Sequence, residues 1–361
     1  MSEKSKKFVI FYDQEPLNFD LYTDIAMADE LLQNPHEYSE LYHEVLTDEL
    51  YDKYLRFLKR VIVKCNLRLA IGSYMYNVPV ILVHSEQRSQ NLKKYQDHEF
   101  VTVYWWCHAL IARDWFRYAE LDTLLSARKV KKDFLIYNRA WSGTREYRLK
   151  FAEMLLDHDL DKCCHMGFNP DDNGNYNNHL FKNQDFQIHR YDLENYFYLN
   201  NTPSTASADY VALDYQSTEV EVVLETLFDD DRIQLTEKIL RPIACGQPFM
   251  LVSTHGSLEY LRSYGFKTFG DFIDESYDSI VDPKQRLDAI VKEMKRISLL
   301  SVDEKTQLYN GMREIAVWNK QLFFSNKWQQ QIIDEYKTNF STAVAQLNQQ
   351  LQNKFKKFNL L

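Results

Sequence analysis

The segment TEKILRPIACGQPFM, which starts at Thr236, has the residue types of an anion-binding helix start. Threonine is a preferred N-cap residue, and the first backbone N–H groups of a helix have no intrahelical partner. A helix N-terminus of this kind binds anions, Lys238 adds a point charge for a diphosphate, and Glu237 offers acceptors to ribose hydroxyls. The alternative is a solvated first turn, in which Glu237 only favours the helix dipole.

A second group of polar residues lies in NRAWSGTREYR, where Asn138 and Arg139 end a predicted strand and the next helix follows. Arg145 and Arg148 are three residues apart, so on a helix they share one face. Guanidinium groups are planar and match the oxygens of phosphate. The pattern therefore indicates a phosphate site, although exposed arginines also serve solubility, and both interpretations stay open.

Carboxylates follow two predicted strands in the N-terminal third of the chain. The run KFVIFYD ends at Asp13, with Glu15 and Pro16 directly after it, and the run NVPVILVHSE ends at Glu86. Polar groups at the carboxyl ends of parallel strands face the ligand crevice of an open α/β sheet. We expect Asp13 or Glu15, and after them Glu86, to act as general base; the alternative is a turn network that caps the strand ends.

The elements that position these residues alternate between strands and helices. A helix is predicted in LYHEVLTDELYDKYLRFLKRVIV, and EFVTVYWWCHALIARDWF supplies a strand followed by a helix. A second series starts with the strand KKDFLIYNR and the helix REYRLKFAEMLLDHDL, and continues with the strands EVEVVLET and PFMLV on either side of LTEKILRPIAC. From Asp282 onward the chain is predicted to be mainly helical. Alternation of this kind indicates βαβ units and parallel sheets.

At 361 residues the chain exceeds the usual size of one hydrophobic core, so two domains are expected. We predict an N-terminal Rossmann-like lobe over 1–130 and a C-terminal Rossmann-like lobe over 131–325. A helical tail over 326–361 completes this α/β organisation.

Composition excludes several classes of protein. A formal net charge of −9 argues against non-specific coating of nucleic acid, and five cysteines without a CxxC pair indicate neither a disulfide framework nor a zinc knuckle. No run approaches the roughly 18 apolar residues of a membrane span, and the N-terminus lacks a signal sequence. We therefore expect a cytoplasmic protein without a membrane partner. The run Asp229-Asp230-Asp231 matches a metal-binding DxD pattern, but a solvated loop is the preferred interpretation.

The region from Thr236 through PFMLV to GSLEYLRSYGFKTFGDFIDESYD resembles the C-terminal lobe motif of fucosyltransferase-like and exostosin-like glycosyltransferases, and of related phage-encoded enzymes. The resemblance covers mainly residues 131–285, with FYDQEPL and VHSE as weaker N-terminal matches. It implies a GT-B-like architecture, two Rossmann-like lobes with a C-terminal helical segment. In this architecture the lobe over 1–130 is the acceptor side and the lobe over 131–325 binds the nucleotide-sugar. The resemblance also implies that Glu237 and Lys238 hold the ribose and phosphates of a nucleotide-sugar donor.

In the same resemblance an arginine of the preceding unit clamps the diphosphate, a role that falls on Arg139, Arg145 or Arg148. We group Asn138, Thr236 and Arg241 with these donor-side residues. Because lysine and arginine replace a cation electrostatically, no obligatory metal or other cofactor is expected.

The sequence allows more than one class of acceptor. Lys53, Arg56, Lys59, Arg60, Lys64 and Arg68 lie in one predicted helical stretch, which fits either a phosphate-binding margin or a solvated helix face. Because the resemblance includes phage enzymes, hydroxymethylated bases of phage DNA are the favoured acceptor. The alternatives are transfer to a surface polysaccharide or a protein, and a non-catalytic module that binds nucleotide-sugars. The sugar, the nucleotide, the stereochemical outcome and the oligomeric state are not indicated.

Overall fold

The computed structural model describes residues 9–13, 80–89, 96, 101–139, 146–169, 186–190, 192–199, 209–229 and 231–357. These residues belong to two compact units. The first contains the described residues up to Trp106 together with 333–357, and the second contains the described residues from Cys107 to Ile332. The predicted helix within LYHEVLTDELYDKYLRFLKRVIV and its basic residues lie outside the described residues.

The first unit contains a parallel sheet of three strands, β1 (Val9–Asp13), β2 (Val80–His84) and β3 (Val101–Tyr104), in the order β1-β2-β3. Their sequences VIFYD, VILVH and VTVY are rich in β-branched and aromatic residues, which favour strands. Val101 and Val103 are buried and the residues after them half-buried, so β3 has the two-residue period of a strand with one face covered. All three are strands that the sequence predicts.

The second unit contains a five-stranded parallel sheet in the order β6-β5-β4-β7-β8. Its strands are β4 (Lys132–Arg139), β5 (Cys164–Asn169), β6 (Tyr198–Leu199), β7 (Thr218–Leu224) and β8 (Phe249–Val252). The order is that of a Rossmann-type half, because the chain leaves β4 outward through β5 and β6 and then returns to β7 on the other side of β4. The described residues thus form an α/β protein with a Rossmann-like parallel sheet.

Every residue of β7 is buried, as expected for a central strand of a parallel sheet with both faces covered. Its sequence TEVEVVL places Glu219 and Glu221 on one face, with Val220 and Val222 on the other, since side chains alternate along a strand. One face of this sheet is therefore aliphatic, whereas the other carries buried acids that need cationic partners.

The part of the chain that the structure describes contains eight α-helices. Their bounds are α1 (Cys107–Trp115), α2 (Glu146–Asp157), α3 (Ala212–Ser217), α4 (Glu237–Cys245), α5 (Ser257–Ser263), α6 (Pro283–Ser298), α7 (Val302–Phe324) and α8 (Asn326–Lys357). Thr236 is the N-cap of α4, and Gly246 ends that helix at a φ of 69°, a left-handed conformation that glycine adopts without a steric cost. The predicted helix start at Thr236 and the helical region after Asp282 are confirmed.

Candidate functional site

The carboxyl ends of β4 and β7 mark the place where ligands bind in sheets of this order. The connections from these two neighbouring strands run in opposite directions, which leaves a crevice at their carboxyl ends. Asn138 and Arg139 end β4, and Glu225 directly follows β7. The structure thus brings Asn138, Arg139 and Arg148 next to Glu225, where the segment that leads into α4 begins.

Arg148 joins the ends of these two strands. Its guanidinium group donates hydrogen bonds to the carbonyls of Arg139 at 2.6 Å, Leu224 at 2.8 Å and Glu225 at 2.8 Å. Asn138 donates from Nδ2 to the Arg148 carbonyl at 2.9 Å, and both side chains are buried. Arg148 therefore donates to backbone carbonyls at the ends of both strands. This corrects the expectation that Arg148 is available to a diphosphate, because its donors already bind the backbone.

Two further predicted arginines differ in their position. Arg139 is half-buried at the end of β4, so part of its side chain is accessible. Arg145 lies outside the described residues, as do residues 140–144.

The N-terminus of α4 is occupied by a carboxylate of the chain itself. Glu225, which is fully buried, accepts hydrogen bonds from the Thr236 N–H at 3.0 Å, the Thr236 hydroxyl at 2.7 Å and the Ile239 N–H at 3.4 Å. A carboxylate at this position satisfies the free N–H groups and the positive end of the helix dipole. The sequence predicts a helix start with N–H groups that face solvent. The structure corrects this, because Glu225 fills that anion position and Thr236 is buried.

Glu237 lies at the first residue of α4 between two basic side chains. Its Oε1 accepts a hydrogen bond from Lys238 Nζ at 2.8 Å, and its Oε2 lies 3.6 Å from His108 Nδ1. The Glu237 carboxyl is buried rather than solvated, which differs from the sequence-based expectation. Burial acts to raise the pKa of this carboxyl, but the Lys238 ammonium and His108 outweigh it and hold the pKa well below its usual value. The group is therefore a buried, ionised carboxylate.

Lys238 keeps part of its side chain accessible. Its Nζ contacts Glu237 and also lies 3.1 Å from the Thr236 hydroxyl, while 22% of the side chain is exposed. An ammonium group has three donors, so Lys238 can bind both residues and retain one donor for a ligand. Of the predicted donor-side residues on α4, it is the one with the most accessible charge.

Arg241, one turn further along α4, is bound within the protein. Its guanidinium group donates to Glu221 at 2.6 Å and to the Tyr215 hydroxyl at 3.1 Å, and it stacks 4.3 Å from the Tyr137 ring centroid. Tyr215 in turn donates to the second oxygen of Glu221 at 2.5 Å. Arg241 is buried and its pairing neutralises an acid of the sheet face, which corrects its grouping with the donor-side residues.

The predicted carboxylates of the N-terminal region lie at strand ends of the first unit. Asp13 ends β1 in register with His84, the last residue of β2. His84 Nδ1 donates to the Glu86 carbonyl at 3.0 Å, and Glu86 itself is buried. Burial lowers the pKa of His84 to about 4, so its ring is neutral at physiological pH. Glu15 lies outside the described residues.

Sequence reasoning missed two residues of this region, His108 and Glu225. His108 occupies the second position of α1, and Glu225 follows the alternating run EVEVVLE. That alternation indicates a buried strand with acids on one face. The same pattern could have identified Glu225 as a further buried acid on that face. Nothing in the spacing of His108 indicates that it lies beside Glu237.

Neither metal ligands nor membrane-spanning elements are found in the part of the chain that the structure describes. No group of three or more His, Cys, Asp or Glu residues there is arranged to hold a metal ion. Asp230 of the acidic run lies outside the described residues. No described helix combines the length and apolar character needed to cross a membrane.

Comparisons with known proteins find no matching family model, no matching curated protein and no matching solved structure.

Proposed function

We propose that the chain is a glycosyltransferase and that the donor nucleotide-sugar binds the second unit at the first turn of α4. The observation that carries this proposal is the ionised Glu237 held by Lys238 at the start of the helix that follows β7. β7 is one of the two strands that flank the crevice of a Rossmann-type sheet, where nucleotides bind. The motif resemblance assigns the same two residues to the donor.

Each donor-side residue has a distinct role in this proposal. Glu237 accepts hydrogen bonds from the ribose hydroxyls, because an ionised carboxylate offers about four lone-pair sites. Lys238 neutralises the phosphates, together with Arg139 and Arg145. These cations take the place of an obligatory metal. Arg148 and Arg241 have no direct role here, since their donors are bound to the backbone and to Glu221.

The acceptor side of the proposal rests on Asp13, Glu15 and Glu86. Displacement of a nucleoside diphosphate by a hydroxyl requires a base within hydrogen-bond reach of that hydroxyl. We propose a GT-B-like architecture in which the first unit supplies this base. We keep hydroxymethylated DNA as the proposed acceptor and the cytoplasm as the proposed location. A polysaccharide or protein acceptor is the alternative.

Ligand-induced stabilisation tests the donor site. A ligand that binds only the folded state raises the melting temperature, so uridine, guanosine and adenosine diphosphates and their sugars are screened by thermal shift. The proposal expects at least one of them to stabilise the wild type and to lose this effect in Lys238→Ala. Exposed Lys292 in α6 provides the matched control, Lys292→Ala, which retains the shift. Equal shifts in both variants, or no shift with any nucleotide, would contradict the proposal.

Turnover separates the enzyme from a non-catalytic binding module. With a labelled donor that stabilises the protein, an enzyme hydrolyses the donor slowly without acceptor and transfers label when the acceptor is present. Duplex DNA with hydroxymethylated bases, an oligosaccharide and an unfolded protein are offered in parallel, and the labelled product identifies the acceptor class. Binding without hydrolysis or transfer would instead favour the binding module.

A further inference from the structure

His108 and Glu237 lie side by side in the second unit, although they belong to two different helices and are 129 positions apart in the sequence. Both residues are in the first turn of their helices, α1 and α4. Their side chains are about nine-tenths buried, with exposed fractions of 11% and 10%. At 3.6 Å, His108 Nδ1 is too far from Glu237 Oε2 for a normal hydrogen bond but close enough for a strong electrostatic interaction in a buried setting.

The other ring nitrogen of His108 has no hydrogen-bond partner among the described residues. This Nε2 atom is buried. An imidazole with its hydrogen on Nδ1 directs a donor toward the carboxylate and leaves Nε2 as an acceptor. The opposite tautomer would direct a lone pair at the Glu237 oxygen and repel it. The Glu237 carboxylate beside Nδ1 therefore favours the tautomer that has its hydrogen on Nδ1.

The Glu237 carboxylate has one basic neighbour at each oxygen. Lys238 lies at Oε1 and His108 at Oε2, on different elements of the second unit. With its two oxygens held in this way, the carboxylate cannot rotate freely, yet each oxygen retains a lone pair. Groups held rigidly by surrounding side chains bind ligands with less loss of conformational freedom.

We propose that His108 is a positioning residue that fixes the Glu237 carboxylate for the hydroxyls of the ligand. This inference rests on the proposed function, since it assumes that Glu237 binds the donor. His108 acts through Glu237 and does not itself touch the reacting atoms. Without His108, the Oε2 atom of Glu237 would lose the basic side chain that α1 places beside it, since Lys238 contacts Oε1. A positioning role differs from a purely structural one, because its effect on ligand affinity depends on the presence of the Glu237 charge.

A double-mutant cycle in ligand affinity tests this dependence. The nucleotide with the largest thermal shift is titrated calorimetrically into the wild type, His108→Ala, Glu237→Gln and the double variant. We expect His108→Ala alone to weaken binding by about tenfold, the loss typical of one interaction with a charged group. In the Glu237→Gln background the same change has almost no further effect.

The conservative variant His108→Asn and a matched histidine complete the experiment. An asparagine amide nitrogen occupies nearly the position of Nδ1, so His108→Asn retains the donor and should bind within about threefold of the wild type. Exposed His158→Ala serves as control and leaves affinity unchanged. If His108→Ala fails to melt cooperatively, His108→Asn is compared with His108→Gln, whose longer side chain moves the donor away from Glu237 and weakens binding.

The outcomes distinguish the two proposals. If the wild type binds no nucleotide, the proposed function fails and the role of His108 fails with it. Binding by the wild type together with additive effects of His108→Ala and Glu237→Gln leaves the donor site intact and overturns the role of His108. Equal weakening in His108→Asn and His108→Ala overturns it as well, because the donor at Nδ1 would then be irrelevant.

Discussion

Two ion pairs have their basic residues one turn apart on α4 and differ in how much of their charge stays accessible. Glu237 and Lys238, in the first turn, leave 22% of the lysine side chain exposed and one of its donors unused. Glu221 and Arg241, one turn later, are 1% and 9% exposed, and Tyr215 completes the hydrogen bonds of the acid. The first pair has capacity for a ligand, whereas the second is saturated by the protein. Residue type alone does not distinguish a binding pair from a structural pair; exposure and remaining donors do.

The largest effect is expected from breaking the saturated pair. Arg241→Ala leaves the buried Glu221 carboxylate without its cation, and loss of one partner of a buried ion pair costs about 3–5 kcal/mol. That is a large fraction of the total stability of a domain. Denaturant unfolding, with Lys292→Ala as control, measures the change. A loss below about 1 kcal/mol would show that the two pairs are alike, since that is the range of exposed ion pairs.

An intermediate effect is expected at the carboxylate that fills the N-terminus of α4. Glu225→Gln keeps the size of the side chain but removes its charge, and the amide can satisfy fewer of the N–H groups of Thr236 and Ile239. We expect a loss of about 1–3 kcal/mol in the free energy of unfolding. The same denaturant titration measures it. Unchanged stability would indicate that the helix start does not depend on this internal anion.

A smaller effect on stability is expected for Lys238→Ala. The lysine is partly exposed, and after its removal the buried Glu237 carboxylate still has His108 beside Oε2, so the loss should be smaller than the about 3–5 kcal/mol of a buried pair that loses its cation. This variant should therefore still unfold cooperatively, at a denaturant midpoint above that of Arg241→Ala, while it loses the thermal shift with nucleotide. A loss of stability as large as that of Arg241→Ala would assign Lys238 to the same structural class as Arg241.

The smallest effect concerns a third pair, His165 and Asp214. The hydrogen bond with Asp214, at 3.3 Å, raises the pKa of His165 above its usual value. Because the pKa is higher in the folded state, this stabilisation is fully present below about pH 6.5 and is lost as pH rises through the folded pKa. The side chain of His165 is 42% exposed, so solvent screening limits the effect to below about 1 kcal/mol.

Unfolding free energies of the wild type and His165→Gln measure this pH dependence. We expect their difference to be larger at about pH 5.5 than at about pH 8.5. A difference that grows with pH would contradict the assignment. Asp214 stays ionised over this pH range. Hydrogen bonds from His165 and Tyr137 lower its pKa by more than burial raises it, so the pKa lies below the usual value.

The sequence predicts most elements of the described fold but not strands β5 and β6 of the five-stranded sheet. Strands β4, β7 and β8 are long apolar or alternating runs, so their pattern is visible. In contrast, β5 has the sequence CHMGFN and β6 has two residues, and neither has a clear excess of strand-forming residues. Their pairing in the sheet, rather than local preference, explains why they are strands.

The candidate site could be predicted from the sequence only in part. The helix start at Thr236 follows from its N-cap chemistry, and the strand end at Asn138 follows from the run before it. Long-range contacts decide the rest. Arg148 binds the carbonyls of Leu224 and Glu225, which are 76 and 77 positions away, and His108 contacts Glu237 from another helix. Local pattern carries no information on such partners, so it cannot separate a phosphate-binding arginine from a structural one.

Amide hydrogen exchange of the full chain, followed by mass spectrometry with and without saturating nucleotide, tests the central claim most directly. A ligand bound at the first turn of α4 slows exchange in peptides that contain 236–241 and in those that end β4 at 138–139. Peptides of α6, residues 283–298, should exchange at the same rate in both states. Slowed exchange at 236–241 is the predicted result. Nucleotide binding that leaves exchange at 236–241 unchanged would contradict the account.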